Sequence, residues 1–160
     1  MPKNESKFHT AARVRWMECD AQGIVFNGAY MGYLEIAQAE YFRNLGFSIY
    51  KIAQEGYFDS AVVKATIEFK APARVDDILE FHTRVSRIGT TSLVLDVEIY
   101  PEKSDRLLTI MQAVYVGFHP KSETTQPVPD AIRKLVGQFE ATGEVISLSE
   151  FPELRHAAQG

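Results

Sequence analysis

The segment 18–30, ECDAQGIVFNGAY, holds the residue types best suited to chemistry in this 160-residue chain. Asp20 and Gly23 bracket a turn signal, three apolar residues follow, and Asn27 stands where a long helical pattern begins. The first turn of a helix presents unpaired backbone N–H groups, which stabilise the oxyanion formed when a carbonyl is attacked. A nearby carboxylate activates water or attacks the carbonyl itself. Asp20 and the amides near Asn27 are therefore a candidate acyl-transfer pair.

Both residues also have a purely structural interpretation, because Asp is a common turn former and Asn a common helix cap. Cys19 offers a thiol, but no histidine motif stands beside it to activate the sulfur, so we interpret it as a small buried strand residue. The four histidines show no i, i+4 pair, and no metal site is predicted.

One long helix and five strands are predicted to position these residues. The helix is indicated by an apolar stripe at steps of three and four, made of Tyr30, Leu34, Ala37, Tyr41 and Leu45, with Asn27 as its cap and Gly46 just past its end. Alternating patterns predict strands at 10–19, 61–70, 77–87 and 91–100, and the segment 106–118, apolar on both faces, predicts a strand that is covered on both sides. A turn or short helix is expected at 48–57 and a C-terminal helix at 128–139. The order is typical of an α+β fold, in which a curved antiparallel sheet wraps around the helix.

Composition limits the classes of function. The length suits one domain, which we place at 10–140, with a flexible lead-in at 1–9 and a tail of unclear structure at 141–160. A net charge of -4 argues against nucleic acid as a partner. A single cysteine excludes an internal disulfide, and no apolar run suggests a signal peptide or a membrane span. A cytoplasmic location is expected.

Two stretches resemble a known family. The sequence VRWMECDAQGIVFNGAYMGYLE, residues 14–35, is similar to the active-site signature of 4-hydroxybenzoyl-CoA thioesterases and YbgC-type acyl-CoA thioesterases. The stretches VVKATIEFKAPARVDDILEF and RIGTTSLVLDVEI, within residues 61–100, resemble two further segments of the YbgC type. The resemblance covers roughly residues 10–135 and implies a hotdog fold, a five-stranded sheet around one helix, that hydrolyses acyl-CoA thioesters.

The resemblance also implies roles for individual residues. Asp20 falls on the catalytic aspartate, acting as nucleophile or general base, and Asn27 falls where a backbone amide polarises the thioester carbonyl. The family usually has tyrosine or histidine at that second position, so only a backbone role carries over. Glu35 falls on a recurring helix acid, which either contacts or supports the substrate or is simply a polar helix residue.

Binding of the CoA phosphates is the least defined implication. The region from Arg87 to Thr91 corresponds to the basic cluster that meets the nucleotide phosphates in the 4-hydroxybenzoyl-CoA enzyme, and it keeps one charge. Lys64, Arg74 and Lys121 are further candidates for phosphate contacts. For each of them a solvated surface charge is the favoured interpretation, and a phosphate contact is the alternative.

The family further implies a homodimer with the active site at the interface, or a dimer of dimers, that is, a homotetramer. It implies no metal or redox cofactor. The acyl group of the substrate is carried by CoA or, as an alternative, by acyl carrier protein. Two rival interpretations stay open: a hotdog dehydratase or hydratase, which would use a histidine near the helix start, and a hotdog module that binds acyl carriers or lipids without turnover.

Overall fold

The computed structural model describes residues 3–157; the outermost parts of the predicted lead-in and tail, 1–2 and 158–160, lie outside the described residues. The strands are β1 Phe8–Arg13, β2 Ser60–Phe69, β3 Ile78–Ile88, β4 Ser92–Pro101, β5 Thr109–His119 and β6 Thr124–Thr125. The α-helices are α1 Ala29–Asn44, α2 Ile49–Gln54 and α3 Asp130–Thr142, and short 3₁₀ turns span Lys3–Glu5, Trp16–Glu18, Leu148–Glu150 and Pro152–Ala157.

The strands form one antiparallel sheet in the order β1-β3-β4-β5-β2, and the two-residue β6 pairs with the end of β5. The register aligns Thr10, Phe81, Ile99, Thr109 and Phe69 in one row across the five long strands. Register shifts in β2 and β3 mark bulges, which bend a strand and increase its twist. The predicted curved five-stranded antiparallel sheet is confirmed.

Helix α1 lies against the inner face of this sheet. All five residues of the predicted stripe are buried, and Tyr33 and Phe42 are buried beside them. Tyr33 packs tilted against Phe81 of β3, with ring centroids 5.4 Å apart. Gly46 follows the helix with φ of 108°, a conformation that glycine adopts without the strain of a side chain. The predicted helix and its C-terminal signal are therefore confirmed.

Two local predictions around the helix start are wrong. The strand predicted at 10–19 ends at Arg13, and Trp16 begins a 3₁₀ turn with 85% of its surface exposed. The residue that caps α1 is Gly28, in a helical conformation, and no side chain caps the helix, so Asn27 does not have the predicted capping role. A hydrogen-bonded turn centred on Glu18 replaces the end of the predicted strand.

The C-terminal part of the chain closes one side of the core. Phe139 of α3 packs edge-on against Tyr41 at 5.8 Å, and the neighbouring Glu140 carboxylate accepts hydrogen bonds from the Tyr41 hydroxyl at 2.5 Å and the Val85 amide at 3.0 Å. Beyond α3, Phe151 and Leu154 are also buried, so the tail packs on the domain. Within residues 3–157, every helix falls short of the length and apolar character needed to cross a bilayer.

Candidate active site

Asp20 lies in a tight turn immediately after the 3₁₀ turn Trp16–Glu18. Its amide donates to the Ile24 carbonyl at 2.9 Å, and its carbonyl accepts from the Gly23 amide at 3.0 Å. One carboxylate oxygen, Oδ1, accepts from the Gln22 amide at 2.8 Å. The other oxygen has no hydrogen-bond partner among residues 3–157, and the side chain is exposed. The turn therefore fixes the carboxylate by one oxygen and leaves the other available for chemistry.

The start of α1 provides two free backbone donors. The Ala29 amide donates to the Phe26 carbonyl at 3.1 Å, and the Tyr30 amide donates to the Asn27 carbonyl at 3.3 Å. The amides of Asn27 and Gly28 donate to no group in the described part of the chain. Unpaired amides at a helix N-terminus carry a partial positive charge and are suited to hold an oxyanion.

A short hairpin joins the Asp20 turn to these amides. The Phe26 amide donates to the Glu18 carbonyl at 3.1 Å, and Cys19 and Val25 form an antiparallel bridge. The hairpin is tied to the loop between β2 and β3, because the Val25 amide donates to the Ala73 carbonyl at 2.9 Å. Asp20 therefore lies in the turn of this small hairpin, and the Asn27 amide lies directly after its last residue, Phe26.

A cleft of about 250 Å³ opens beside the helix start. Its walls include Ile24, Asn27 and Tyr30 from the loop and α1, and Phe69 from the end of β2. Tyr30 and Phe69 pack edge-on at 5.2 Å. Asp20 does not line this cleft within the single chain, so the cleft alone does not assemble a complete site.

Large apolar side chains surround the same segment and remain exposed. Trp16 and Met17 are 85% and 76% exposed, and Phe26 and Met31 are 44% and 43% exposed. Exposed apolar clusters of this kind mark surfaces that meet a ligand or another protein.

Glu18 is a residue of this site that the sequence analysis missed. Its side chain is only 12% exposed and pairs with the Arg15 guanidinium, with 3.0 Å between Oε2 and Nη2. Burial raises the pKa of this carboxyl, but hydrogen bonds from Arg15 and Tyr33 outweigh that effect and hold the pKa below its ordinary value. Its spacing from Arg15, three residues, is the one signal in the sequence that points to this contact.

Glu35 lies away from the Asp20 turn. It follows Ala29 by six residues, which is roughly 9 Å along a helix axis. Its carboxylate is exposed and accepts a hydrogen bond from the Tyr50 hydroxyl of α2 at 2.7 Å. The structure therefore places Glu35 on an exposed face of α1, in a groove that it shares with Arg43 and with Arg15 and Glu18 of the turn before Asp20.

The candidate phosphate contacts are divided between the two ends of the sheet. Arg74 is close to the site, since its backbone bridges to Ile24 of the Asp20 hairpin. Lys64 is exposed in the middle of β2. Arg87 and Thr91 lie at the opposite end, where the Thr91 carbonyl accepts from the Gly117 amide at 2.7 Å. Lys121 lies in the turn that follows β5 at that same end.

The Cys19 thiol has properties opposite to those of an activated nucleophile. Burial, together with the charges of Glu18 and Asp20, raises the pKa of this thiol. A raised pKa disfavours the thiolate, which is the reactive form of cysteine. The side chain is partly buried, and its Sγ lies 3.7 Å from the Arg15 carbonyl oxygen. Both observations fit a residue that packs and does not react.

The histidines do not create a metal site in the described residues. His9 and His82 are stacked across β1 and β3 at 4.9 Å, and His82 lies 2.9 Å from Glu80. Throughout residues 3–157, no three His, Cys, Asp or Glu side chains converge as metal ligands do. The side chain of His156 lies outside the described residues.

Comparison with known proteins gives a consistent result. The sequence profile of the thioesterase superfamily matches residues 22–107. The acyl-CoA thioester hydrolase YbgC of Escherichia coli is 31% identical over 129 residues, covering 81% of this chain and 95% of the relative. The chloroplastic acyl-acyl carrier protein thioesterase ATL2 of Arabidopsis thaliana is 25% identical over 128 residues, covering 80% of this chain and 67% of the relative.

Solved structures show the same architecture. The 1,4-dihydroxy-2-naphthoyl-CoA thioesterase of Synechocystis superposes with a TM-score of 0.76 at 22% identity, covering 83% of this chain and 97% of that one. At 22% sequence identity this similarity establishes the fold only, and it confirms the expected hotdog architecture.

Proposed function

The chain belongs to the thioesterase superfamily, and we propose that it hydrolyses acyl-CoA thioesters to a free acid and CoA, with Asp20 as the key carboxylate. The observation that carries the proposal is the pair of unpaired amides at Asn27 and Gly28, which directly follow the hairpin that contains Asp20. Both halves of an acyl-transfer site, a carboxylate and an oxyanion donor, are thereby available.

Two chemical routes use this arrangement. As a general base, Asp20 takes a proton from water, and the oxygen of that water attacks the thioester carbonyl carbon. As a nucleophile, the Asp20 carboxylate attacks that carbon itself and forms a mixed anhydride, which water then hydrolyses. In either route the amides of Asn27 and Gly28 stabilise the negative carbonyl oxygen, the C–S bond breaks, and the departing thiolate takes up a proton.

Hydrolysis itself is tested with a panel of thioesters. Acetyl-CoA, a medium-chain acyl-CoA, benzoyl-CoA and an acyl carrier protein thioester are incubated with the pure protein, and free thiol is measured. We expect turnover of at least one CoA ester. No turnover of any member would contradict the proposal and favour a hotdog module that binds without hydrolysis. Faster turnover of the acyl carrier protein thioester than of the CoA esters would identify acyl carrier protein as the natural carrier of the acyl group.

The dehydratase alternative has no support in the geometry. Such an enzyme would need a histidine at the helix start, and that position holds Asn27. His9 and His82 lie on β1 and β3, and His119 ends β5, so none of these three is at the start of α1. The cytoplasmic location and the dimer of dimers remain predictions.

A second copy of the chain is the proposed partner of strand β2. This strand is an edge of the sheet, and side chains on both of its faces are uncovered, including Val62 and Val63. An unpaired edge is a template for another strand. If two copies pair through antiparallel β2 strands, the Asp20 end of one sheet meets the far end of the other. Arg87 and Thr91 of the second copy would then approach the first copy's Asp20, which accounts for their separation within one chain.

Charge placed on this edge should weaken the dimer. Val63→Glu introduces a carboxylate in each copy at a side chain that is 62% exposed in the single chain. We expect wild type to be a dimer or tetramer at micromolar concentration in light scattering. Val63→Glu should shift the equilibrium from dimer toward monomer. Its rate of hydrolysis should fall in proportion to the loss of dimer, because in this arrangement each site needs both copies.

Val145→Glu is the matched control, since Val145 is also an exposed valine but lies beyond α3. It should retain both assembly and activity. A monomeric wild type, or a Val63→Glu variant that stays dimeric and fully active, would contradict pairing through β2.

A further inference from the structure

The Glu18 carboxylate connects two parts of the chain that border the site. Oε1 accepts hydrogen bonds from the Arg15 amide at 2.8 Å and from the Tyr33 hydroxyl at 3.1 Å. Oε2 accepts from the Arg15 guanidinium through Nε at 3.3 Å and Nη2 at 3.0 Å. With four donors around it, this carboxylate has a role in holding structure and none of its oxygens is left free for substrate.

The backbone of Glu18 belongs to the hairpin that presents Asp20. Its carbonyl accepts from the Phe26 amide, and its own amide donates to the Arg15 carbonyl at 3.0 Å. Asp20 follows Glu18 by two residues, and Asn27 directly follows Phe26. Any movement of Glu18 is therefore transmitted to both ends of the hairpin.

Tyr33 is a rigid anchor for this contact. It is 1% exposed and lies four residues into α1 from Ala29; its ring packs edge-on against Tyr30 at 5.5 Å and tilted against Phe81 at 5.4 Å. Burial and the nearby Glu18 charge raise the pKa of the Tyr33 hydroxyl, so it stays protonated and keeps donating.

We propose that Glu18 is a positioning residue, whose hydrogen bond from Tyr33 locks the Asp20 hairpin onto helix α1 and so fixes Asp20 relative to the amides of Asn27 and Gly28. This inference rests on the proposed thioesterase function. The contact links the carboxylate side of the site to the same helix that supplies the oxyanion donors. It thereby holds the two halves of the site at a constant separation.

Removal of this link should affect catalysis more than binding. Displacement of a reacting group by about 1 Å costs on the order of 100-fold in rate. Tyr33→Phe deletes only the hydroxyl and keeps the packed ring. We expect kcat to fall roughly 10- to 100-fold with KM little changed, because Glu18 and Tyr33 do not bind the substrate.

Tyr41→Phe is a matched control on the same helix. Tyr41 is also buried, and its hydroxyl also donates to a carboxylate, that of Glu140, at the other end of α1. Both variants lose one buried tyrosine–carboxylate hydrogen bond, and their losses of thermal stability should be similar. Only Tyr33→Phe should lower kcat.

A double-mutant cycle tests whether Tyr33 acts through Glu18. Glu18→Ala should lower kcat at least as much as Tyr33→Phe, and adding Tyr33→Phe to it should have little further effect. If Glu18→Ala does not fold, the comparison of Tyr33→Phe with Tyr41→Phe still decides the question.

The outcomes separate the positioning role from the proposed function. If the wild type hydrolyses thioesters and Tyr33→Phe has the same kcat, the positioning role is overturned and the proposed function stands. Equal losses of kcat in Tyr33→Phe and Tyr41→Phe would have the same meaning. A wild type that hydrolyses no thioester would overturn the proposed function and, with it, this inference.

Discussion

Asp20→Asn is expected to lower kcat by about 10²–10⁴-fold while KM stays near the wild-type value. The asparagine Oδ1 can still accept the hydrogen bond from the Gln22 amide, so the turn keeps its shape. What is lost is the negative charge that takes a proton from water or attacks the carbonyl. KM should change little, because a carboxylate contributes no attraction to an anionic CoA ester. Single-turnover hydrolysis of benzoyl-CoA or a short-chain acyl-CoA measures the effect.

Asp96→Asn is a suitable control for this substitution. Asp96 lies in the middle of β4; its Oδ1 accepts one hydrogen bond, from the Gln112 side chain at 2.8 Å, and its Oδ2 lies 3.6 Å from the Arg84 guanidinium. It should retain kcat, and both variants should fold and assemble as wild type does. Near-wild-type rates in Asp20→Asn would mean that Asp20 is only a turn residue, and the mechanism proposed here would have to be abandoned.

The parts of the fold that were predictable are those with strictly local causes. The α1 stripe and the alternation in β3 and β4 follow from which side chains face the core, and consecutive residues carry that pattern. Strand β5 was predicted from apolar residues on both faces, and in the single chain its more and less buried residues alternate. Gly46 likewise ends α1 for a local reason, its positive φ. Asp20 could be proposed from the sequence because its turn and the helix start adjoin along the chain.

The wrong predictions have non-local causes. Strand β1 ends at Arg13, and the chain then forms the turn Trp16–Glu18, in which the Glu18 carboxylate also accepts a hydrogen bond from Tyr33, 15 residues away in sequence. No periodic pattern encodes such a contact, and the pattern of residues 10–19 therefore predicts a strand that continues through Trp16. In β2, the alternation of Val63 with Lys64 predicts one buried face, yet both residues are exposed. A second copy of the chain, paired along β2, would cover the side chains of this strand that the single chain leaves exposed.

The candidate site was only partly predictable for a related reason. The sequence places Asp20 and Asn27, but it does not show that the Asn27 amide is unpaired or that its side chain does not cap α1. Arg74 reaches the Asp20 hairpin through a backbone bridge formed by chain segments 50 residues apart. Arg87 and Thr91 were grouped with the site, although one chain keeps them at the other end of the sheet.

The backbone amide of Asn27 is the subject of the last prediction. Asn27→Pro deletes this N–H and keeps the carbonyl that accepts from the Tyr30 amide at 3.3 Å. Since the amide has no partner in the described residues, its loss breaks no internal hydrogen bond. Removing one oxyanion donor typically costs about 10²–10³ in kcat, and we expect a loss of this size in single-turnover hydrolysis.

Asn27→Ala separates the amide from the side chain. It removes the exposed side-chain amide but keeps the backbone N–H, so it should retain most of the wild-type kcat. Circular dichroism and light scattering establish that the proline variant keeps its fold and assembly, since proline also restricts Phe26 to extended conformations. A folded Asn27→Pro protein with wild-type kcat would exclude this amide as the oxyanion donor. A large loss in Asn27→Ala instead would move the catalytic role to the asparagine side chain, at the position where related enzymes have tyrosine or histidine.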